Sequence, residues 1–469
     1  MRAIGTRTFT LACVLAAAAA LLALGAPAAH AHTVARGLFD YRLCGSAAEQ
    51  ESALEEDATK LNATWVRIDC LWPSAEPQRG QYADAGYLAS VAHAVELARA
   101  RGLNVVVMVC YVPQWASDRS FWDNPPATFA KGYQAFYPID SSSLDDFQRF
   151  AGHLATLLKG QVHGYECWNE PNLWPYLYPQ ETRMDADFAA HTYAKYVKRF
   201  SQGIRAGDPD ALVVAGSTAP GGSDDKYRSG PLQFARAFKA SGTASYFDVY
   251  SHHPYTMGGN PNMDPAAPPV SPKDTVCLSN IGPLLDVFPG KPCYITEYAY
   301  STEYSYAFAY GVSEVKQAQY LKKAYAMAAK HQQIKVMMWF LVRDVSPNGN
   351  PSNPAGCYTG LRRVGGGAKR SWYAFARGNR LTLIVPTRAR RSQTIRLHGQ
   401  LTCSTVGGIK GAGLLVQRRA GTRPWRTMRT IQTADEGFYK TWVTFKGTCR
   451  YRLVWQGVVN SLGHLVRRR

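Results

Sequence analysis

The stretch Gly164-Tyr165-Glu166-Cys167-Trp168-Asn169-Glu170-Pro171-Asn172-Leu173-Trp174 decides how the chain is read. It opens with the alternation of a short buried strand and breaks at Asn169-Glu170-Pro171. Proline cannot donate to a ladder, so Glu170 is expected at a strand end, on the lip of a site. Period-two geometry puts Glu166, Trp168 and Glu170 on one face. A second carboxylate matches it: Glu297 ends another apolar strand, Cys293 to Tyr300, CYITEYAY.

Outward from that stretch, short apolar strands alternate with helix-length amphipathic segments. Strands are predicted at 36–41, 65–70, 105–111, 164–169, 212–217, 247–252, 293–297 and 336–341. Helices are predicted at 87–101, 144–158, 187–206, 232–240 and 312–330, with Gly102, Gly160 and Gly242 as C-cap signals. Eight strand–helix units in residues 32–378 fit an α/β fold, a (β/α)8 TIM barrel. A doubly wound open sheet is the alternative, but no Gly-rich phosphate loop follows the first strand.

Beyond Asn379 the rhythm changes to short alternating segments between Gly, Pro and Thr turns. Residues 379–469 therefore read as a small all-β sandwich, Ig-like or fibronectin-like. The net charge of +19 concentrates there: residues 380–469 hold eighteen Lys and Arg against two acids, Asp435 and Glu436. Such a domain should seek polyanions, such as an anionic cell-wall polymer; its arginines serve solubility in the alternative reading. It contains no nucleic-acid motif, so no nucleic acid is expected as a partner.

Residues 1–31 carry Arg2 and Arg7, a long Ala/Leu run and Ala29-His30-Ala31, the layout of a cleaved signal peptide. A secreted protein with no membrane span after cleavage, staying free or associating with the cell wall, is the expectation, an uncleaved anchor the alternative. Nine cysteines remain beyond the signal, and Cys277–Cys293 and Cys403–Cys449 are the local disulfide candidates. No Cys/His spacing resembles a metal site, and no cofactor is expected.

In a barrel of this kind chemistry gathers at the C-terminal ends of the strands. Those ends offer Arg67 to Trp72, Tyr111 to Trp115, Trp168 to Glu170, His252 to Tyr255, Glu297 and Trp339. Two carboxylates, several aromatics and polar hydrogen bonders suit a sugar: aromatic faces stack on pyranose C–H faces, and two carboxylates can flank one glycosidic bond. Of the adjacent histidines, His253 is the site residue and His252 packs behind the barrel, because neighbours on a strand face opposite ways. Glu166 reads as a structural partner of Arg67, and Glu303 as a solvated loop residue. Trp72, Trp115, Trp122 and Trp174 are either sugar platforms or rim packing.

The segments VRIDCLWPSAEPQRGQYA (66–83), YVPQWAS (111–117), YECWNEPNLW (165–174), YSHHPY (250–255), ITEYAY (295–300) and MMWF (337–340) resemble the clan A retaining glycoside hydrolases. Family 39 and related bacterial exopolysaccharide hydrolases are the closest, with family 5 a near neighbour. KRSWYAFAR (369–377) is similar to the last barrel helix of these enzymes. The resemblance implies Glu170 as acid/base, Glu297 as nucleophile and Asn169 on the sugar 2-hydroxyl. It also implies Tyr255 and Arg67 holding Glu297 ionised and oriented, and Trp339 as the floor of the cleavage subsite. A retaining pair would sit about 5–5.5 Å apart, an inverting pair about 6.5–9.5 Å.

Long loops at 117–143, 173–182 and 256–274, the first two aromatic-rich, suggest an extended groove and endo action on a polysaccharide or oligosaccharide substrate. A transglycosylase using the same residues, and a non-catalytic polysaccharide-binding surface protein, are the competing functions.

Overall fold

The computed structural model describes residues 32–469 apart from 124, 127–128, 223, 257–262, 270–273, 305–309, 348–356 and 405. The expected signal peptide, residues 1–31, and parts of the 256–274 loop therefore lie outside the described residues. Among the described residues no helix is long and apolar enough to cross a membrane.

Eight parallel strands close into a barrel in sequence order. They are β1 (Ala35–Phe39), β2 (Trp65–Leu71), β3 (Asn104–Cys110), β4 (Gly164–Cys167), β5 (Leu212–Thr218), β6 (Val249–His252), β7 (Cys293–Tyr298) and β8 (Ile334–Phe340). Closure comes from β1, which pairs with β2 on one side and β8 on the other. The helices between them are α1 (Ala47–Glu55), α2 (Tyr87–Ala100), α3 (Leu144–Leu157), α4 (Phe188–Gly207), α5 (Pro231–Ala240) and α6 (Glu314–Ala328), and α7 (Arg370–Ala376) follows β8. Gly102, Gly160 and Gly242 take φ of +75°, +75° and +71°, the left-handed values expected of helix-ending glycines.

Two elements depart from the sequence reading. Helix α1 was not anticipated, although its signal is present: Ser46 and Glu49 form a capping box. Between β6 and β7 the helix shrinks to a single turn, Gly282–Leu285.

The barrel interior alternates with its exterior along each strand. Trp65, Val106, Val214, Val249, Tyr294, Val336 and Met338 fill the interior and form a core separate from the larger one between strands and helices. In the outer layer α3 and α4 pack through glycines. A Cβ at Gly203 would lie 2.2 Å from the Gln148 carbonyl oxygen, so only glycine permits this approach.

The tail forms two antiparallel-rich sheets consistent with a sandwich. One contains β9 (Asn379–Leu381), β11 (Thr394–Cys403), β12 (Gly407–Gly408) and β15 (Phe438–Thr444). The other contains β10 (Arg388–Ala389), β13 (Gly413–Arg419), β14 (Arg426–Gln432), β16 (Cys449–Trp455), β17 (Val459–Asn460) and β18 (His464–Arg468). This region rests on the last barrel helices. Tyr373 packs on Trp455 with ring centroids 4.8 Å apart, and Lys322 Nζ donates to the Val458 carbonyl at 2.9 Å.

Neither expected disulfide forms. Cys277 instead caps the turn Leu278–Asn280, and Cys293 Sγ turns back to the Tyr294 carbonyl. Cys403 Sγ points to the Arg377 carbonyl, and Cys449 lies beside Arg418 and Tyr451. Each thiol is packed into its own local contact rather than aimed at the other.

Candidate active site

Arg67 organises the C-terminal mouth of the barrel. It sits on the inward face of β2, 1 % exposed, and spreads its guanidinium over three acceptors. Nε donates to Glu166 Oε2 at 2.7 Å, one terminal nitrogen to Glu297 Oε1 at 2.6 Å, and the other to Asn169 Oδ1 at 2.7 Å. One fork thus connects β2, β4 and β7, which lie far apart in sequence.

Glu166 is the buried foundation. Besides Arg67 it accepts hydroxyl hydrogens from Ser217 at 2.6 Å, Ser251 at 2.9 Å and Thr296 at 2.7 Å. Burial pushes its carboxyl up, but Arg67, His253 and the hydroxyls together hold it below the usual range. This is the structural role anticipated, with three hydroxyl partners that a strand-by-strand reading could not assemble.

The anticipated shared face of Glu166, Trp168 and Glu170 does not form. Strand β4 stops at Cys167, and Trp168 takes φ +71°, which breaks the alternation. Trp168 is instead fully buried in the helix layer, packed on Tyr196 with ring centroids 5.0 Å apart, and its indole donates to the Tyr176 carbonyl. Glu170 follows with φ +37°, its amide tied to the Ser217 carbonyl at 3.0 Å. Left-handed φ at two bulky residues is strained backbone held by its surroundings, here at the rim of the site.

Glu297 accepts from Arg67 and, at 2.8 Å, from the Tyr255 hydroxyl, which fixes both its oxygens. His253 lies between the two glutamates. Its Nδ1 is 3.0 Å from Glu170 Oε1 and 3.8 Å from Glu297 Oε2, and its Nε2 is 3.0 Å from Thr296 Oγ1. The Thr296 hydroxyl donates its hydrogen to Glu166, so it accepts from His253, and Nε2 carries a proton. Nδ1 faces Glu170 and donates to it when the ring is charged. Burial lowers the His253 pKa, but the charges of Glu297 and Glu170 outweigh it and the net direction is up. Glu170 is also raised, by burial and then by Glu297, with His253 and Arg67 opposing.

Glu170, His253 and Glu297 each bring one ligand atom within 4.8 Å of the others, so these three could also hold a metal ion. The positive partners here come from the chain itself, through Arg67 and His253.

The aromatic candidates separate by place. Trp72 is fully buried, bonded through its indole to Glu76 and packed on Trp115, Phe147 and Phe150. It is core, not a platform. Trp115 is rim packing, its indole tied to the Glu76 carbonyl and the Arg79 guanidinium over its ring. Trp122 packs on Tyr133. Trp174 is half-buried among Phe129 and Phe136, in an aromatic cluster built by two of the long loops.

Trp339 is 1 % exposed and faces the helix layer, its indole bonded to the Thr359 carbonyl and its ring against Tyr298. The alternation of β8 gives the lumen to Val336, Met338 and Phe340, and half-buried Phe340 stacks on Phe39 with centroids 5.2 Å apart. Phe340 therefore occupies the inward position expected of Trp339. His252 is buried behind the barrel, bonded to Thr218 and the Val276 carbonyl, and burial lowers it to about 3. Glu303 is exposed.

Two features stood among the strand ends and loops of the sequence reading without a role. Tyr111 stacks on Tyr176 with centroids 5.9 Å apart, and both tyrosines feel the charge of Glu170. Asp69, two residues beyond Arg67 on the same strand face, has one oxygen buried without a partner. Burial pushes it up to about 6, Arg67 opposing, with Glu297 and Glu166 adding. The alternation of Arg67 and Asp69 on β2 was the available signal.

Comparison with known proteins agrees with the barrel fold. The structure is similar to a family 39 glycoside hydrolase from Bacteroides cellulosilyticus WH2, at 15% identity and TM-score 0.53, over 91% of this chain and 81% of that one. It is also similar to GH5_18 from Streptomyces cattleya in complex with GlcNAc, at 16% identity and TM-score 0.54, over 74% and 79%. GH5_18 from Bifidobacterium longum subsp. longum matches at 16% identity and TM-score 0.51, over 74% and 78%. At these identities the likeness is one of fold. No curated protein matches the sequence. The family model for cellulase (glycosyl hydrolase family 5) matches residues 28–343, about two thirds of the chain. Family 5, which the sequence placed as the near neighbour of family 39, is thus the one whose model fits, and the chain belongs to the cellulase family, glycosyl hydrolase family 5.

Proposed function

We propose that this glycoside hydrolase cleaves β-glycosidic bonds with retention, by double displacement, inside a polysaccharide chain and after export from the cell. The observation that carries the reading is the approach of Glu170 and Glu297: a carboxylate oxygen of each lies within 4.8 Å of the other. An inverting pair needs about 6.5–9.5 Å to admit a water between carboxylate and sugar.

Glu297 attacks the anomeric carbon while Glu170 passes its proton to the departing glycosidic oxygen, leaving a sugar ester on Glu297. Glu170, now a carboxylate, takes a proton from water, whose oxygen attacks the same carbon and releases Glu297. The upward direction of the Glu170 pKa suits its first task. Arg67 and Tyr255 hold Glu297 in place for attack. Asn169 has its carbonyl oxygen engaged by Arg67, which leaves its NH2 to donate to the sugar 2-hydroxyl. Phe340, Tyr111 and Tyr176 offer aromatic surface around the reacting sugar.

The aromatic loops around Trp174 support an extended groove, hence internal cleavage, and the leader-like residues 1–31 support export, the basic tail then holding the enzyme near an anionic polymer. The test is hydrolysis of aryl β-glycosides and polysaccharides by wild type, Glu170→Gln and Glu297→Gln, with the first-formed anomer read by proton NMR. Loss of activity in both variants and a β-configured first product are expected. An α-configured first product, or activity surviving Glu297→Gln, overturns the mechanism; release of terminal sugar alone overturns internal cleavage.

A further inference from the structure

The outward face of the smaller tail sheet has no role in the chemistry of the barrel. On β15 the exposed residues alternate as Phe438, Lys440, Trp442 and Thr444, with Phe438 and Trp442 each 51 % exposed. The antiparallel register sets Trp442 opposite Arg396, Lys440 opposite His398, and Phe438 opposite Gln400 on β11. On the far side of β11, Arg380 lies opposite Thr402, and Ile384, 57 % exposed, lies opposite His398.

Three neighbouring segments thus present Phe438, Trp442 and Ile384 among Arg380, Arg396 and Lys440. Residues 379–385, 394–403 and 438–444 contain no carboxylate. Arg380, Arg396 and Lys440 make no ion pair among the described residues, whereas Asp435, at the turn before β15, is matched by Lys410 at 2.7 Å. Phe438 and Trp442, four residues apart, are separated by about 13 Å, the length of a short oligosaccharide.

We propose that this face binds an acidic polysaccharide chain lying along β15. Phe438 and Trp442 stack on its sugar rings, and Arg396, Lys440 and Arg380 pair with its carboxylates. The occupant follows from charge and form. A row of unmatched cations in a region of +16 asks for a polyanion, and flat aromatic rings set along a strand suit a chain of rings. Three isolated apolar side chains make too little surface for a stable protein interface, which buries about 800 Å² per partner. The choice of a polysaccharide rests on the reading of the barrel as a polysaccharide hydrolase, but the face is separate from the catalytic pair and is tested separately.

The experiment is affinity electrophoresis of the full chain through gels holding polygalacturonate, alginate or a neutral β-glucan. Wild type, Trp442→Ala, Phe438→Ala and Arg396→Gln/Lys440→Gln are compared at low and high salt. All four substituted side chains are solvent-facing, so thermal unfolding should match wild type in every variant. Wild type should be retarded by an acidic polymer and not by the glucan. Trp442→Ala should weaken retardation at least tenfold at both salt levels, and the double variant should lose it chiefly at low salt. Cleavage of an aryl glycoside should stay unchanged throughout, so failure here is distinct from failure of the catalytic reading. Equal retardation of Trp442→Ala and wild type would overturn the proposal, because charge alone would then explain binding. So would no retardation on either acidic polymer, or wild-type binding to phosphatidylglycerol vesicles in their place.

Discussion

Removal of Arg67 should do more than disable the site. In Arg67→Met the aliphatic stem is kept, while Glu166, Glu297 and Asn169 each lose a charged donor. Glu166 is fully buried and retains its three hydroxyl donors but no cation in contact. Breaking a buried pair by deleting one partner costs about 3–5 kcal/mol, or roughly two to three and a half powers of ten in the unfolding equilibrium. Adding Glu166→Gln removes the stranded charge, so the double variant should recover about 1–2 kcal/mol relative to the sum of the single effects.

The pH dependence has a definite sign. Glu166 is held below the usual carboxylate range in the folded protein, so its contribution is fully present above the unfolded value, near ~4.3, and is lost as pH falls through the lower folded one. Without Arg67, burial is opposed by less and the folded pKa rises. The penalty is then largest at neutral pH and relaxes as Glu166 takes a proton on acidification. Urea denaturation of wild type, both singles and the double at pH 7.5 and pH 5 measures this. Additive single effects, or a penalty equal at both pH values, would refute the assignment of Glu166 as a charge held by Arg67.

Three further outcomes are expected. His253→Ala removes the hydrogen bond and positive charge that draw Glu170 downward, so the alkaline limb of the pH–rate profile should move to higher pH; a limb that stays put or moves down contradicts the contact. Phe340→Ala should lower kcat/KM about tenfold, the loss of ~1.5 kcal/mol of aromatic contact, while Trp339→Phe should lower the unfolding midpoint and leave KM alone. Gly203→Ala forces a Cβ against the Gln148 carbonyl and should cost about 1–3 kcal/mol in denaturation, with no selective effect on kcat.

Most of the barrel was legible because it rests on local patterns. The run Val105 to Cys110 is apolar because a parallel strand is covered on both sides, and α2 to α6 announce themselves by amphipathic spacing and, in three cases, a closing glycine. Glu170 and Glu297 were legible for a related reason: each is a carboxylate at the end of an apolar strand, where a barrel exposes its chemistry. Two placements failed for different reasons. Alternation assigned Trp168 the face of Glu170, and the family resemblance assigned Trp339 the subsite floor, yet a left-handed φ at Trp168 and the inward parity of Phe340 sent both indoles to the helix layer. The disulfide candidates failed because nearness in sequence or domain says nothing of where a thiol points.

The sequence by itself determined the eight barrel strands, the change of rhythm near Asn379, the segregation of positive charge and the two carboxylates at strand ends, all properties of neighbours along the chain. Only the tertiary structure decided that one guanidinium, Arg67, ties Glu166, Asn169 and Glu297 together, that His253 stands between the two glutamates, and that Asp69 enters the same site. Those contacts join residues from 44 to 230 positions apart. Barrel closure brings them within hydrogen-bond reach, and a strand pattern specifies which side a residue faces but not which distant side chain meets it there.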